Sequence, residues 1–369
     1  MPRRSRAGRP RRRSRPEPVL APGLAARHVD WRDAADRARY DAFVRDRLDG
    51  TPFHLTAWAQ AIAELGHRPH YLLAERGGAI GGVLPLIETR SPLFGRTLVS
   101  NAFAVYGGPL ADDESTHAVL DDAAWALAGR LGVRVVEYRN QARLRPDWPV
   151  KSDVYATFKR PIHATFDENL KAIPRKQRAD VRKSLDLPLE VRVGSDARDL
   201  ADHYAVYAES VRNLGTPVFP RCLFRAILGA FGPDADILTV SHAGVPIASV
   251  LSLYHNGEVL PYYGGGTAAA RQYKANDRMY FELIEHARQR GCTSFDFGRS
   301  KVGTGPYAFK KNWGFEPTPL YYEYRLGEGA EMPNLSPNNP KFKAMIAVWT
   351  RLPLWVANRL GPPIASGLG

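Results

Sequence analysis

Two apolar runs meet at a turn in Leu238-Thr-Val-Ser-His-Ala-Gly-Val-Pro-Ile-Ala-Ser-Val-Leu-Ser-Leu253, and an earlier stretch has the same form, Leu72-Leu-Ala-Glu-Arg-Gly-Gly-Ala-Ile-Gly-Gly-Val-Leu-Pro-Leu86. Each stretch predicts a β-hairpin, because a glycine-containing turn separates two strand-like runs. A second matching pair follows, Val105-Tyr-Gly-Gly-Pro109 and Tyr262-Tyr-Gly-Gly-Gly266. Each member of this pair predicts a strand that ends in glycines.

The repeat extends in both directions from these stretches. Amphipathic patterns predict a helix and then a strand in each copy, 118–131 with 133–138 and 275–289 with 292–297. A glycine, Gly132 or Gly291, closes each helix. The lead-in also matches, Phe53–Gly66 against Phe219–Gly232. Since the order helix, hairpin, strand, helix, strand occurs twice, the sequence predicts an α/β fold built from two similar units.

The length of 369 residues agrees with two domains and leaves additional segments at both ends. We expect a disordered Arg-rich tail over 1–26, a first unit over 27–160, a second unit over 161–330, and a linker with a C-terminal amphipathic helix over 331–369. Residues 341–359 contain Trp349 and Trp355 and only positive charges. Such a segment either lies on an anionic membrane or packs against the two units.

Composition excludes several classes of protein. A hydrophobic fraction of 44% excludes a wholly disordered chain, and no apolar run is long enough for a spanning helix. Two cysteines are too few for a disulfide framework, which indicates a reducing, cytoplasmic compartment. The histidines lack the spacing of metal ligands, so no metal site is predicted. The net charge of +13 comes almost entirely from residues 1–18 and 171–183.

The most specific motifs lie in the second unit, and they are Tyr263-Gly-Gly-Gly-Thr267, Ala275-Asn-Asp277, Arg290-Gly-Cys292, Phe295-Asp-Phe-Gly-Arg-Ser300 and Phe309-Lys-Lys-Asn-Trp-Gly-Phe315. With these motifs in this order, the chain resembles the FemAB family, and within it the FemAB-like proteins of exosortase/PEP-CTERM bacteria. The resemblance implies tandem duplicated GNAT-like units, each with a mixed central sheet flanked by helices. It further implies transfer of an acyl or aminoacyl group onto an amine of a peptidoglycan or exopolysaccharide precursor.

The resemblance places the acyl donor at the glycine loop of the second unit. The donor-binding candidates are Gly264, Gly265, Gly266, Arg271, Lys274 and Asn276. Backbone N–H groups at a helix N-terminus bind anions, and basic residues beside them favour a phosphate. The loop lacks the glycines of the usual coenzyme A motif. Acyl-CoA and aminoacyl-tRNA both stay open as co-substrates, and no permanently bound cofactor is expected.

Three residues are candidates for catalysis. Lys310 lies where the family has a Phe-Lys pair near the reaction centre, where a cation stabilises the oxyanion or holds a tRNA phosphate. Asp296 is a mid-strand carboxylate that either deprotonates the attacking amine or is a buried hydrogen-bond acceptor. Tyr263 is either a proton donor to the leaving group or a packing residue.

Substrate contacts are expected from Arg175 and Arg178 on a basic helix and from Arg299 and Lys301 after the last strand. These residues would bind a nucleotide- or lipid-linked cell-envelope precursor, or tRNA. The protein would then act in the cytoplasm, with peripheral contact to the inner face of the membrane through residues 341–359. Two alternatives are a nucleic-acid-binding protein that uses the Arg-rich tail and the basic helix, and a GNAT-like scaffold that has lost catalysis.

Overall fold

The computed structural model describes residues 23–91, 95–333 and 340–367, with only the backbone described for Ser91 and residues 340–344. The predicted Arg-rich tail therefore lies outside the described residues, except at its end. Residues 24–26 of that tail belong to a β-strand that pairs with residues 74–76. The tail boundary at residue 26 is thus wrong for these three residues.

The first half of the chain forms two sheets. Its strands are β1 (Leu24–His28), β2 (Arg68–Pro69), β3 (Leu72–Arg76), β4 (Ala79–Leu84), β5 (Ile87–Ser91), β6 (Gly95–Ser100), β7 (Leu110–Ala111), β8 (Val135–Asn140) and β9 (Val150–Lys151). One sheet has the order β1-β3-β4-β7. The predicted hairpin of residues 72–86 is β3 and β4, which pair antiparallel. The helices of this half are α1 (Ala34–Arg45), α2 (Thr56–Ala63) and α3 (Glu114–Leu131).

The second half forms one larger sheet, and its last strand joins a sheet of the first half. Its strands are β10 (Tyr155–Pro161), β11 (Leu189–Gly194), β12 (Ala235–His242), β13 (Val245–His255), β14 (Glu258–Gly266), β15 (Ser294–Asp296), β16 (Ser300–Lys301), β17 (Pro317–Pro319) and β18 (Tyr321–Leu326). The sheet order is β11-β12-β13-β14-β15-β10-β16, and β17 also pairs with β10. Its helices are α4 (Phe166–Ala172), α5 (Arg175–Leu185), α6 (Ala197–Asn213), α7 (Arg221–Phe231), α8 (Ala275–Gln289) and α9 (Gly305–Asn312). Short 3₁₀ helices lie at Pro52–His54, Gly232–Asp234 and Ala268–Arg271.

The two units exchange strands at the predicted boundaries. Strand β10 lies in the predicted first unit except for its last residue, Pro161, but it pairs with β15, β16 and β17 of the second unit. Strand β18 lies inside the predicted second unit but pairs with β8 and β9, which completes the sheet β2-β5-β6-β8-β18-β9. The division at residues 160 and 330 therefore separates strands from the sheets that they complete, because neither pairing is visible in local sequence.

Local chemistry explains why the helices of the repeat begin and end where they do. Asp113 caps α3 by accepting a hydrogen bond from the backbone of Thr116, and Gly132 ends it in the left-handed conformation. Helix α8 buries Met279, Leu283 and Ile284 against the second sheet. Two of the three sheets described above are mixed, since β6–β8 and β14–β15 are parallel pairs and the other pairs in these two sheets are antiparallel. The predicted tandem α/β fold is confirmed.

The C-terminal segment is a pair of helices instead of the single predicted helix. Helix α10 (Pro340–Trp349) and helix α11 (Leu354–Ser366) are separated at Pro353, a residue that favours a helix start. The predicted linker falls mostly on residues 334–339, which lie outside the described part of the chain. None of the helices in the described part has the length and apolar character needed to span a bilayer.

Candidate active site

A cleft of about 740 Å³ opens where two parallel strands separate. Strands β14 and β15 pair only at Glu258–Ser294 and Val259–Phe295, whereas β14 continues along β13 as far as Gly266. Tyr262 is an extra residue in the β13–β14 pairing, and such a bulge bends the strand. Beyond these pairs, residues 261–264 and 297–302 line the gap between the two strands.

The first unit supplies the opposite wall of the cleft. Phe103, Val105, Glu137 and Arg139 line it from the loop after β6 and from β8. Tyr322 and Tyr324 of β18 also line it. The exchanged strand is therefore part of the site, and the cleft needs both units.

Lys310 of α9 lines the cleft and is almost fully buried, with 8% of its surface exposed. Its Nζ donates hydrogen bonds of 2.8 Å to the carbonyl oxygen of Gly298 and 3.2 Å to that of Arg299. Burial lowers the pKa of the Lys310 ammonium to about 7. Within the described residues it forms no ion pair with a carboxylate, so its charge is available to a ligand in the cleft.

Asp296 is fully buried directly behind this lysine and does not line the cleft. Its carboxylate accepts hydrogen bonds from the Tyr106 hydroxyl at 2.9 Å and from the Gly298 N–H at 2.8 Å. Thr157 donates a third at 3.2 Å, and Lys159 Nζ lies 3.2 Å away. Hydrogen bonds already occupy the oxygens of this carboxylate. Its geometry is therefore that of a buried hydrogen-bond acceptor, which is the alternative to a catalytic base for Asp296.

Arg299 is held between two tyrosines at the cleft wall. Its guanidinium lies 4.5 Å from the Tyr155 ring centre, and Nη1 donates a 2.7 Å hydrogen bond to the Tyr322 hydroxyl. That hydroxyl in turn donates to the Val105 carbonyl at 3.2 Å. No carboxylate in the described chain forms an ion pair with Arg299. A guanidinium fixed this way can bind an anion in the cleft.

Positive charge exceeds negative charge around the cleft. The basic lining residues are Arg139, Lys151, Arg299, Lys301 and Lys310, and the acidic ones are Glu137 and Asp153. Glu137 is already paired with Arg139 at 2.8 Å. The excess cations lie among aromatic walls, where the low dielectric strengthens their attraction for an anion.

Tyr263 lines the cleft with its hydroxyl buried and without a hydrogen-bond partner in the described chain. Its ring contacts Phe224, Phe219 and Tyr262 at 5.2, 5.7 and 4.7 Å between ring centres. Burial raises the pKa of the Tyr263 hydroxyl well above its ordinary value. The Tyr263 ring therefore packs in the aromatic core, while its hydroxyl is a hydrogen-bond donor without a partner in the described chain.

The three glycines of the predicted donor loop face different surroundings. Gly264 lines the cleft. A Cβ at Gly265 would collide with the Ser210 hydroxyl on α6, and one at Gly266 would lie 2.5 Å from Asn276 Oδ1. Gly265 and Gly266 are thus required for close packing of helices on β14, and Asn276 packs against that backbone.

The N-terminus of α8 is covered by α5 and carries acidic neighbours. Gln177 donates to Asp277 at 2.5 Å, and Lys274 pairs with Asp180 at 3.1 Å. Burial, reinforced by Asp180, raises the pKa of Asp277 to about 6. Lys274 is thus engaged, and the exposed Arg271 lies outside the cleft lining. The loop is less favourable for a phosphate than its sequence predicts.

The basic helix is α5, which begins after Pro174. Arg175 is exposed and Arg178 is half-buried, and neither lines the cleft. The structure therefore gathers Lys310, Tyr263, Gly264, Arg299 and Lys301 around one cavity. The remaining predicted substrate and donor residues lie outside it.

One wall of the cleft is not predicted by the sequence. Arg139, Tyr155 and Tyr322 contact or flank Arg299 but lie far from it in sequence. Strand β18 lies in the predicted second unit but pairs with β8 of the first, so no local pattern places its tyrosines near the site. The tyrosine-rich run of residues 321–324 is the one available signal.

Among the described residues there is no group of His, Cys, Asp or Glu that could hold a metal ion.

Comparison with known proteins gives a family match within the second unit. Residues 173–311 match the family model described as an acetyltransferase (GNAT) domain. Over 92 residues the chain is 27% identical to the lipid II:glycine glycyltransferase of Staphylococcus epidermidis, which covers 23% of this chain and 21% of that protein. Over 103 residues it is 26% identical to the Staphylococcus aureus protein of that name, covering 26% and 23%. The match spans less than a quarter of these curated relatives.

Solved structures share the fold over a larger part of the chain. FemX superposes with a TM-score of 0.63 at 17% identity, over 80% of this chain and 96% of FemX. A tandem GNAT protein from the clavulanic acid biosynthesis pathway gives 0.54 at 11% identity, over 84% and 100%. L-PGS from Bacillus licheniformis gives 0.51 at 15%, over 85% and 96%. The chain therefore shares its fold with FemX and with the tandem GNAT protein, and residues 173–311 match the GNAT acetyltransferase domain model.

Proposed function

We propose that this protein is a FemAB-like N-acyltransferase that moves an aminoacyl group onto an amine of a cell-envelope precursor. The main support is Lys310, a buried amino group that forms no direct ion pair in the described chain, at the gap between β14 and β15. The GNAT match over residues 173–311 and the Fem-type relatives support the same class of reaction.

The chemistry follows from the charge that develops during acyl transfer. The neutral amine nitrogen attacks the carbonyl carbon of the donor ester, and the carbonyl oxygen becomes an oxyanion. The C–O bond to the leaving group then breaks, an amide forms, and the amine proton passes to the leaving oxygen. The Lys310 ammonium stabilises the oxyanion, and the Tyr263 hydroxyl is a donor available to the leaving oxygen.

The donor that we propose is aminoacyl-tRNA, with acyl-CoA as the competing choice. The N-terminus of α8 has Asp277 and Asp180 beside it, and like charge disfavours a pyrophosphate there. Helix α5 exposes Arg175, Lys176 and Arg182, and clustered cations bind a nucleic-acid backbone without regard to sequence. Gly264, Gly265, Gly266, Arg271, Lys274 and Asn276 then shape the loop at the end of β14.

The acceptor that we propose is a phosphate-containing precursor of peptidoglycan or exopolysaccharide, linked to a nucleotide or a lipid. Arg299 and Lys301 lie at the cleft wall, where they can bind its anionic group. The relatives from Staphylococcus are named for glycine transfer to lipid II. We place the enzyme at the inner face of the cytoplasmic membrane, with peripheral contact through residues 341–359.

The test combines purified protein with a mixture of aminoacyl-tRNAs or with acyl-CoA, and with nucleotide-linked or lipid-linked peptidoglycan precursors. Mass spectrometry should detect an acceptor whose mass has increased by one aminoacyl residue. Lys310→Ala should reduce the rate by roughly 10²-fold, as loss of one oxyanion donor does. Lys311→Ala is the control, because Lys311 is exposed on the same helix.

Product formed from acyl-CoA alone would overturn the proposed donor. Absence of product from every donor and acceptor, with the protein folded, would favour a scaffold that has lost catalysis. An unchanged rate in Lys310→Ala would overturn the role of this lysine.

A further inference from the structure

The C-terminal helices present two chemically different faces. On the inner face, Ala357, Gly361 and Ala365 are buried. A Cβ at Gly361 would lie 2.9 Å from the Val218 side chain, and Arg212 Nη1 donates to the Thr350 carbonyl at 3.3 Å. This small-residue face therefore packs closely on α6 and on the segment before α7.

The outer face is apolar and exposed. Trp355 has 73% and Val348 63% of its surface exposed, and the other exposed large apolar residues of these helices are Met345, Leu360 and Ile364. In α11 the exposed residues 355, 359 and 360 point away from the buried residues 357, 361 and 365, whereas 364, seven residues after 357, borders the buried side. An apolar surface on this scale marks an interaction site.

The charges around this face are of one sign. Arg351 and Arg359 are exposed beside it. The sequence has no Asp or Glu between residues 332 and 369, and Lys341 and Lys343 lie in the same segment. Apolar residues with Trp and flanking cations fit the interface of a bilayer that contains anionic lipids.

We propose that α10 and α11 form a docking surface for an anionic membrane, here called the C-terminal face, defined by Met345, Val348, Arg351, Trp355, Arg359 and Leu360. Packing on the domains and contact with a membrane are then compatible, since they use different sides of the same helices. Trp349, in contrast, has its indole nitrogen buried and is not part of this face.

Two other occupants fit the charges less well. Residues 1–18 of the same chain hold eight arginines and one glutamate, so that tail and the C-terminal face repel each other. A second copy of the chain would bring Arg351 and Arg359 of both copies together on a two-fold symmetric interface. An anionic bilayer instead satisfies the apolar and the basic residues at once.

The position of this surface links it to the cleft. Val218, which packs against Gly361, is followed by Phe219, a residue of the cleft wall. Docking would hold that wall close to the lipid headgroups. Only the benefit to a lipid-linked acceptor rests on the proposed function, because docking itself does not require transferase activity.

The experiment is co-sedimentation of the full chain with phosphatidylcholine vesicles, with or without phosphatidylglycerol. We expect binding only to vesicles with the anionic lipid, and weaker binding as salt rises. Arg351→Gln with Arg359→Gln should weaken it roughly thirtyfold, at about 1 kcal/mol for each cation. Trp355→Ser should also release the protein. Leu48→Ser and Arg225→Gln are matched controls, because both residues are exposed outside α10 and α11.

Failure of the wild-type protein to bind anionic vesicles, or equal binding to neutral ones, would overturn the proposal. So would a dimer in sedimentation velocity that Trp355→Ser dissociates, since the face would then join two copies. Lys310→Ala should still bind vesicles, and Trp355→Ser should still modify a water-soluble nucleotide-linked acceptor. A failure of docking is therefore distinguishable from a failure of the proposed function.

Discussion

Lys310 and Asp296 are connected through a single glycine. Lys310 Nζ donates to the Gly298 carbonyl at 2.8 Å, and the Gly298 N–H donates to the Asp296 carboxylate at 2.8 Å. Gly298 adopts a left-handed conformation with φ of 69°, which favours glycine at this turn. Asp296 thus fixes the backbone that holds the lysine, and under the proposed function it is a positioning residue.

The pH dependence of the proposed reaction should depend on Lys310. Because burial lowers its pKa to about 7, the cation is present below that pH and is lost as pH rises through it. The attacking amine must lose its proton, so its reactivity rises with pH. Free amines lose their proton only at about pH 8–10, so above pH 7 the loss of the Lys310 cation offsets the gain in neutral amine. We expect kcat/KM to rise with pH up to about 7 and then to level off.

Lys310→Arg isolates this contribution, since a guanidinium stays charged at all these pH values. The variant should retain part of the activity, and its kcat/KM should continue to rise above pH 7 as more of the amine becomes neutral. A profile that levels off at the same pH in Lys310→Arg would assign that change of slope to another group.

Tyr106 of the first unit should position the second unit's Gly298 turn through Asp296. Tyr106→Phe removes the 2.9 Å hydrogen bond to the Asp296 carboxylate. We expect a loss of about 1–3 kcal/mol of stability, because a buried carboxylate loses a donor. We also expect kcat to fall and the change of slope near pH 7 to shift, because the carbonyl that holds Lys310 is less fixed.

Tyr254→Phe is the matched control for this variant. The Tyr254 hydroxyl also donates to a carboxylate, that of Asp236 at 2.8 Å, but neither residue lines the cleft. It should lose comparable stability in urea unfolding and keep the wild-type pH profile. Equal profiles for both variants would mean that Tyr106 is only structural.

Arg299 should determine acceptor affinity more than turnover. Arg299→Gln removes the cation beside Tyr155 and Tyr322, and we expect KM for the anionic acceptor to rise at least tenfold, since a charge-assisted hydrogen bond contributes about 1.5–3 kcal/mol. Arg290→Gln serves as control, because Arg290 also stacks on a tyrosine, 3.8 Å from the Tyr254 ring centre, outside the cleft. A change confined to kcat would contradict a binding role.

Asp277 predicts a pH-dependent stability. Its pKa is raised to about 6 by burial, with Asp180 adding to the effect, whereas the unfolded chain ionises near the ordinary value of about 3.9. The folded state therefore binds more protons between these two values, and its stability falls as pH rises through them. Asp277→Asn should raise Tm at pH 8 and change it little at pH 4, as measured by calorimetry. A uniform change at both pH values would mean that the Gln177 contact dominates.

The sequence was sufficient for the parts of the fold that local patterns encode. The hairpin at residues 72–84, the helix at 275–289 and the glycine that ends α3 follow from periodicity and turn chemistry. The exchange of β10 and β18 between sheets does not, because strand pairing between distant residues depends on the assembled core. The same reason hides Arg139 and Tyr322, the partners that complete the Arg299 wall.

The glycine loop shows how the same residues fit two explanations. Its glycines predict a phosphate-binding backbone, and the structure gives two of them a packing requirement that sequence does not reveal. Gly265 lies against Ser210, and Gly266 lies against Asn276. Loss of activity in a variant at either glycine would therefore not identify a donor site unless stability were measured too.

Gly265→Ala tests that packing requirement directly. The added methyl group meets the Ser210 side chain on α6, so helix or strand must shift, and overpacking of this kind costs about 1–3 kcal/mol. Gly229→Ala is the control: Gly229 lies inside α7 with no atom within 4 Å of a built Cβ, and helix propensity predicts a gain of up to about 1 kcal/mol. Urea unfolding should show opposite signs for the two variants. If Gly265→Ala is as stable as wild type yet loses donor binding in a filter assay with aminoacyl-tRNA, then this glycine contacts the donor and the packing explanation is wrong.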